Sequence, residues 1–172
     1  RPVSVLAAGD IADCNSTGDE ATAALLDDLL AERRGTVLAL GDMAYESGTV
    51  EEFANCYHPT WGGHKGRTIP TPGNHEYETP GAAGYFDYFG DVAGDRGEGW
   101  HALDLGAWRI IGLNSTGDEI GRQFEQFLAG QLEEAHGVVV ALDEAAQVHV
   151  KHDDGLGSVL DQRAVAGLAF AY

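Results

Sequence analysis

The sequence predicts a single-domain α/β fold organised on a parallel sheet, and three observations carry that reading. Residues 3–8 and 36–40 are short apolar runs rich in β-branched side chains, the signature of strands buried on both faces. Between them, residues 19–34 show the spacing of an amphipathic helix. Finally, Gly9-Asp10, Gly41-Asp42-Met43-Ala44-Tyr45 and Gly73-Asn74-His75-Glu76 each follow an apolar or proline-bounded run, with Asp10, Asp42 and Asn74 evenly spaced at 32 residues. Ligands of open α/β sheets collect at the carboxyl ends of the strands, so the spacing suggests one metal site assembled from three strand ends.

Along the chain, Ala21, Ala24, Leu25 and Leu29 mark the first helix, opened by a Ser, Thr or Asp cap and stopped at Gly35. Residues 50–57 read as a short helix. Residues 58–73, rich in Gly, Pro and His, read as a loop better placed for function than for packing, with Ile69, Pro70 and Pro72 leading a third strand-like stretch into it. Residues 80–89 suggest a short aromatic helix, and residues 100–105 and 108–113 two strands joined at Gly106-Ala107. Phe124, Phe127, Leu128 and Leu132 give residues 123–135 helical spacing, and residues 138–142 form a further buried strand. An edge left open beyond that strand would expose unpaired backbone groups. Residues 159–172 are apolar enough to cover it, with residues 167–172 a final strand, a docking segment or a route to an oligomer.

A chain of 172 residues can bury a real core. Its 28 Asp and Glu against 10 Lys and Arg give a formal charge of −18, which argues against nucleic acid or an anionic membrane as a partner. A phosphate substrate would meet the same repulsion unless bound cations reversed the field locally. No apolar run reaches the length of about 18 residues that a spanning helix needs. The chain opens at Arg1 with no signal-like stretch, as a processed mature form or a cytosolic protein would. Cys14 and Cys56 follow the first and second motifs on the same sheet edge, either as a disulfide or as two unpaired thiols. A disulfide would mean an oxidising compartment, and a secreted or periplasmic location is the expectation.

An identical hexapeptide, Asn-Ser-Thr-Gly-Asp-Glu, occurs at residues 15–20 and 114–119. Two copies fall short of a solenoid, and loops that favour helix-capping residues would produce the match by coincidence. Both copies also fit the glycosylation acceptor pattern.

The three motifs suit one piece of chemistry. A hard cation prefers oxygen ligands, and a carboxylate shared by two cations can hold them about 3.5–4 Å apart. Asp42 is the natural bridge, with Asp10 on one ion and the Asn74 side-chain carbonyl on the other. Tyr45 would add a phenolate oxygen, a ligand that favours ferric iron. Two cations lower the pKa of bound water towards neutrality and clamp phosphoryl oxygens. His75, beside Asn74, is placed to protonate a leaving oxygen. Taken singly, a Gly-Asp after a strand is an ordinary turn, and Tyr45 and His75 would be a packing tyrosine and a loop histidine; their joint order points to a metal site.

At these residues the chain resembles the calcineurin-like metallophosphoesterase superfamily, and within it the purple acid phosphatase-like branch. The resemblance covers residues 3–134 and includes Ala8-Gly-Asp-Ile-Ala12, Leu40-Gly-Asp-Met-Ala-Tyr45, Cys56-Tyr-His-Pro-Thr-Trp-Gly62, Pro72-Gly-Asn-His-Glu-Tyr77, Gly84-Tyr-Phe-Asp-Tyr-Phe-Gly90 and Leu113-Asn-Ser115. It implies a four-layered α/β/β/α sandwich, incomplete on its C-terminal side if residues 135–172 are a divergent tail. It further implies two divalent or trivalent metal ions (iron with zinc, manganese or iron) and hydrolysis of a phosphate ester by a metal-bound hydroxide. By position, Asp10, Asp42, Tyr45 and Asn74 correspond to metal ligands and His75 to the catalytic histidine.

The chain departs from the family at Ala12, where the wider superfamily has histidine, and in the tail, which lacks the His-His-Pro and Gly-His-Asp-His segments. Asp143, His149 and His152 are the further candidate ligands; positions 149 and 152 share a face on a helix but not on a strand, so joint ligation needs a helix or loop there. His58, His64, His101 and His136 are weaker candidates, while His64, Lys65 and Arg67 lie where they would attract a substrate phosphate. Two functions follow: a phosphomonoesterase, or a truncated or degenerate member that acts as a binding module or needs a partner chain.

Overall fold

Side chains on both faces of strand β1 (Ser4–Ala8) are buried, as a central parallel strand requires. The computed structural model describes residues 4–31, 34–105, 108–114, 116, 138–142, 149–152, 155–158 and 168–169. Strand β2 (Ala12–Asp13) and helix α1 (Gly18–Leu30) lead to β3 (Gly35–Leu40) and β4 (Ala44–Tyr45). Strand β5 (Thr68–Thr71) completes a parallel trio, with Ala8 opposite Ala39 and Leu40 opposite Thr71. Strands β6 (His101–Leu105) and β7 (Trp108–Leu113) form the expected antiparallel hairpin, and β8 (Val138–Leu142) adds in parallel to β7.

The two sheets meet through Val5 and Ala7 of β1, Leu38 and Leu40 of β3 and Ile110 of β7. The alternate positions, Leu6, Val37 and Ala39, turn the other way into the larger cluster with α1 and the aromatic side chains Phe53, Tyr57, Trp61, Tyr85, Phe86 and Phe89. A period of two thus divides one run of apolar residues between two cores.

Helix α1 is present with its acidic residues Asp19 and Glu20 in the first turn, where the helix dipole favours them. Its buried stripe is Asp19, Ala23, Leu26 and Leu30, whereas Leu25 and Leu29 are 47% and 39% exposed. Ala21, Ala24, Leu25 and Leu29, the apolar residues that suggested the helix, are thus all exposed on its outer side. Residues expected to form a loop after position 57 are helical instead. Helix α2 (Val50–Glu52), opened by a Thr49–Glu52 capping box, runs through a π-helical turn (Phe53–Tyr57) and α3 (His58–Thr60) into a 3-10 segment (Trp61–Arg67). Tertiary contacts override the Gly and Pro content: the Thr60 hydroxyl donates to Asp19 (2.9 Å), the Trp61 indole to the Thr22 hydroxyl (3.0 Å), and His64 pairs with Asp27 (3.0 Å). Further on come α4 (Asn74–Tyr77) and the aromatic α5 (Ala83–Phe89), which packs against α2 and α4.

Cys14 and Cys56 form a disulfide, their Cα atoms 5.0 Å apart, tying the segment after β2 to the π-helical turn. Asn15 is exposed, while Asn114, heading the second copy of the hexapeptide, is fully buried. Its amide donates to the Tyr77 hydroxyl (2.6 Å) and the Glu98 carbonyl (2.7 Å) and accepts from the Thr116 N–H (3.1 Å).

In the tail, β9 (His149–His152) and β10 (Gly155–Ser158) pair antiparallel, and β11 (Leu168–Ala169) pairs with β1. Leu168 and Ala169 therefore lie on the edge of the first sheet beside β1 and not beside β8, where an open edge called for a covering segment. The helix expected at residues 123–135 lies outside the described residues. Among the described residues, no helix is long and apolar enough to cross a membrane.

Candidate metal centre

The exits of β1, β3 and β5 are stitched into one surface. Asp10 and Ile11 donate their N–H groups to the Gly41 and Asp42 carbonyls (3.3 and 2.9 Å), and Gly41 donates to the Thr71 carbonyl (2.9 Å). This close approach requires glycine at position 9, where a Cβ would fall 2.5 Å from the Leu40 carbonyl oxygen. Asp10 and Asp42 both take positive φ, 52° and 47°, a region that aspartate tolerates better than most residues but at some cost in strain.

Two carboxylates converge there on one phenol. The Tyr45 hydroxyl lies 2.5 Å from Asp10 Oδ1 and 3.3 Å from Asp42 Oδ2, and the His75 backbone N–H donates to Asp42 Oδ1 (3.0 Å). Burial, reinforced by the Asp10 hydrogen bond and both carboxylate charges, holds the Tyr45 phenol well above its ordinary pKa. His75 Nδ1 lies 2.5 Å from the Glu46 carbonyl. A carbonyl only accepts, so Nδ1 carries the proton and Nε2 is the nitrogen available to a ligand. That hydrogen bond raises the His75 pKa, burial opposes the rise, and Asp42 adds to it. The His75 and Tyr45 rings stand edge to face, 4.4 Å apart. Asn74 opens α4 immediately before His75.

Glu76, not among the candidate site residues, underpins this arrangement. Its fully buried carboxylate accepts backbone N–H groups from Asp42 (2.9 Å), Met43 (2.8 Å), Ala44 (3.4 Å) and Gly73 (2.6 Å), locking the second motif to the third. Burial pushes its carboxyl up to about 7, against the pull of the Gly73 and Met43 N–H groups. The sequence held a signal for it: a glutamate three residues into a turn that starts at Gly73, the spacing by which N3 carboxylates reach back to a helix start.

The structure therefore brings Asp10, Asp42, Tyr45 and His75 together, with Asn74 adjoining. Two carboxylates, a phenol and an amide carbonyl are the hard oxygen donors that suit a divalent or trivalent cation. Among the described residues, no three His, Cys, Asp or Glu side chains gather into a complete ligand set. Asp143 lies outside the described residues. His149 and His152 lie on β9, and a strand puts positions three apart on opposite faces, so the helix or loop needed for joint ligation is absent at those positions. His64 and Lys65 serve packing, His64 on Asp27 and the Lys65 ammonium over the Tyr88 ring at 4.4 Å. His58 meets the Tyr88 hydroxyl (2.9 Å).

A family model described as calcineurin-like phosphoesterase matches residues 3–159. No curated protein matches the chain.

Proposed function

Since the chain belongs to the calcineurin-like phosphoesterase family, whose members hydrolyse phosphate esters with divalent metal ions, we propose that it is a phosphomonoesterase of the purple acid phosphatase-like branch. Asp10, Asp42, Tyr45 and Asn74 hold a dinuclear centre of iron with zinc, manganese or iron, and His75 assists the leaving group. When bound, such ions acidify water towards neutrality and neutralise the phosphoryl charge. The chain's own residues orient the reaction. The Glu46 carbonyl holds the His75 Nδ1–H, so the doubly protonated ring would deliver its proton from Nε2. The His75 amide and the Glu76 carboxylate hold Asp42, one at its side chain and the other at its backbone. In this reading the fold is a four-layered α/β/β/α sandwich, Asp143 is the remaining candidate ligand of the tail, and the disulfide fits a secreted or periplasmic protein.

One observation carries this reading: the Tyr45 hydroxyl set between the Asp10 and Asp42 carboxylates at the ends of adjacent parallel strands. The test is elemental analysis after loading with iron, zinc and manganese and exhaustive dialysis, paired with turnover of 4-nitrophenyl phosphate. Two retained ions, turnover in the parent and its loss in Asp42→Asn are the expected results. Equal turnover in parent and variant would overturn the mechanism. One ion or none, with no turnover, would point to a degenerate member that binds without catalysis or relies on a partner chain.

A further inference from the structure

A cleft of about 440 Å³ opens beside Asp10 and Tyr45, within the range of volumes that small-molecule sites occupy. Ser16, Thr22 and Trp61 line it, as do the carboxylate-bearing residues Asp13 and Glu46. We propose that this cleft receives the leaving group of the ester and selects an uncharged, hydroxyl-bearing one, a polyol or sugar, over an anionic one; the proposal rests on the phosphomonoesterase reading.

Position and charge argue for it together. The cleft is bordered by Asp10 and Tyr45, so it adjoins the candidate centre at which the ester would be held. Trp61 and Thr22 are held in place, because the Trp61 indole donates to the Thr22 hydroxyl (3.0 Å), which itself donates to the Asp19 carbonyl (3.1 Å). Ser16, an exposed residue, also lines the cleft. No Lys, Arg or His is among the described residues that line the cleft. Besides Asp10, the lining includes the acidic residues Asp13 and Glu46. A polyol can donate hydroxyl protons to those carboxylates. A carboxylate or phosphate on the leaving group meets like charge from those two side chains, with no Lys or Arg among the described lining residues to offset it.

The experiment compares two esters of matched size, glycerol 3-phosphate and 3-phosphoglycerate, whose leaving groups differ by one carboxylate, with 4-nitrophenyl phosphate as reference. The metal-loaded parent should show a kcat/KM at least about tenfold higher for glycerol 3-phosphate, and Asp13→Asn with Glu46→Gln should bring the ratio to within about threefold by gain on 3-phosphoglycerate. Glu46→Gln alone, at an exposed side chain, should move the ratio in the same direction and guards against a folding defect in the double variant. A parent that hydrolyses 4-nitrophenyl phosphate yet shows no preference, or a preference unchanged in both variants, overturns the cleft assignment and leaves the phosphatase reading standing. A parent that hydrolyses none of the three esters overturns both.

Discussion

Replacing Asn114 by alanine and, separately, Asn15 by alanine makes the same change in the same hexapeptide, and the structure predicts very different costs. Asn114 is fully buried and makes three hydrogen bonds, to the Tyr77 hydroxyl, the Glu98 carbonyl and the Thr116 N–H. At about 1 kcal/mol for each bond lost, with an added penalty for partners left unpaired away from water, Asn114→Ala should cost about 3–4 kcal/mol. That is a large share of the roughly 5–15 kcal/mol by which domains of this kind are stable. Asn15 is exposed, and among the described residues its side chain bonds Asp13, at 3.1 Å. Water replaces that contact, so Asn15→Ala should stay within about 0.5 kcal/mol of the parent. Urea unfolding at fixed pH, followed by far-UV circular dichroism and fitted with a common m-value, measures both. A cost below about 1 kcal/mol at position 114, or equal costs at the two positions, would refute the argument that burial sets the difference.

Three further outcomes follow from the structure. Reducing the Cys14–Cys56 disulfide, or replacing both cysteines by serine, should lower stability by about 4 kcal/mol on the loop-closure estimate for a separation of 42 residues, read as a fall in Tm. The His101 imidazole is buried with no hydrogen-bond partner for either nitrogen among the described residues, and burial lowers its pKa to about 4. The folded chain therefore binds that proton less readily than the unfolded chain, so stability is full above about pH 6.5 and falls by about 3 kcal/mol as the pH drops towards 4; His101→Leu should flatten the pH profile over that window. Tyr45→Phe removes the oxygen shared by Asp10 and Asp42, and elemental analysis after iron loading and dialysis should find less iron retained than in the parent; equal retention would remove Tyr45 from the ligand set.

Much of the scaffold was legible in the sequence because it depends on local pattern. The apolar runs at β1, β3 and β8 and the paired runs at β6 and β7 are short-range signals, and the three motifs fall at strand ends because turn residues must follow buried strands. Features decided by distant contacts were not legible. Residues 58–67 are rich in Gly, Pro and His, yet they are helical because Thr60, Trp61 and His64 find partners on α1. The solvent-facing Leu25 and Leu29 show that apolar spacing can establish a helix without identifying its inner face. Glu76 acts through backbone groups of another strand exit, a relation that no spacing within its own motif reveals. The two identical hexapeptides are the limiting case, since one local sequence serves a surface turn at Asn15 and a buried anchor at Asn114.

That last contrast bears on how the protein is made. In a host whose secretory pathway attaches oligosaccharides to Asn-X-Ser/Thr while the chain is still emerging, both asparagines are acceptors before any tertiary structure exists. A glycan on Asn15 would project into solvent. One on Asn114 would have to occupy the space now held by the Tyr77 hydroxyl and the Glu98 carbonyl, so the modified chain could not close around it. Folding and glycosylation therefore compete for the same amide nitrogen. Expression in a host without the transferase, or loss of the acceptor pattern through Thr116→Ala, removes the competition while leaving Asn114 in place.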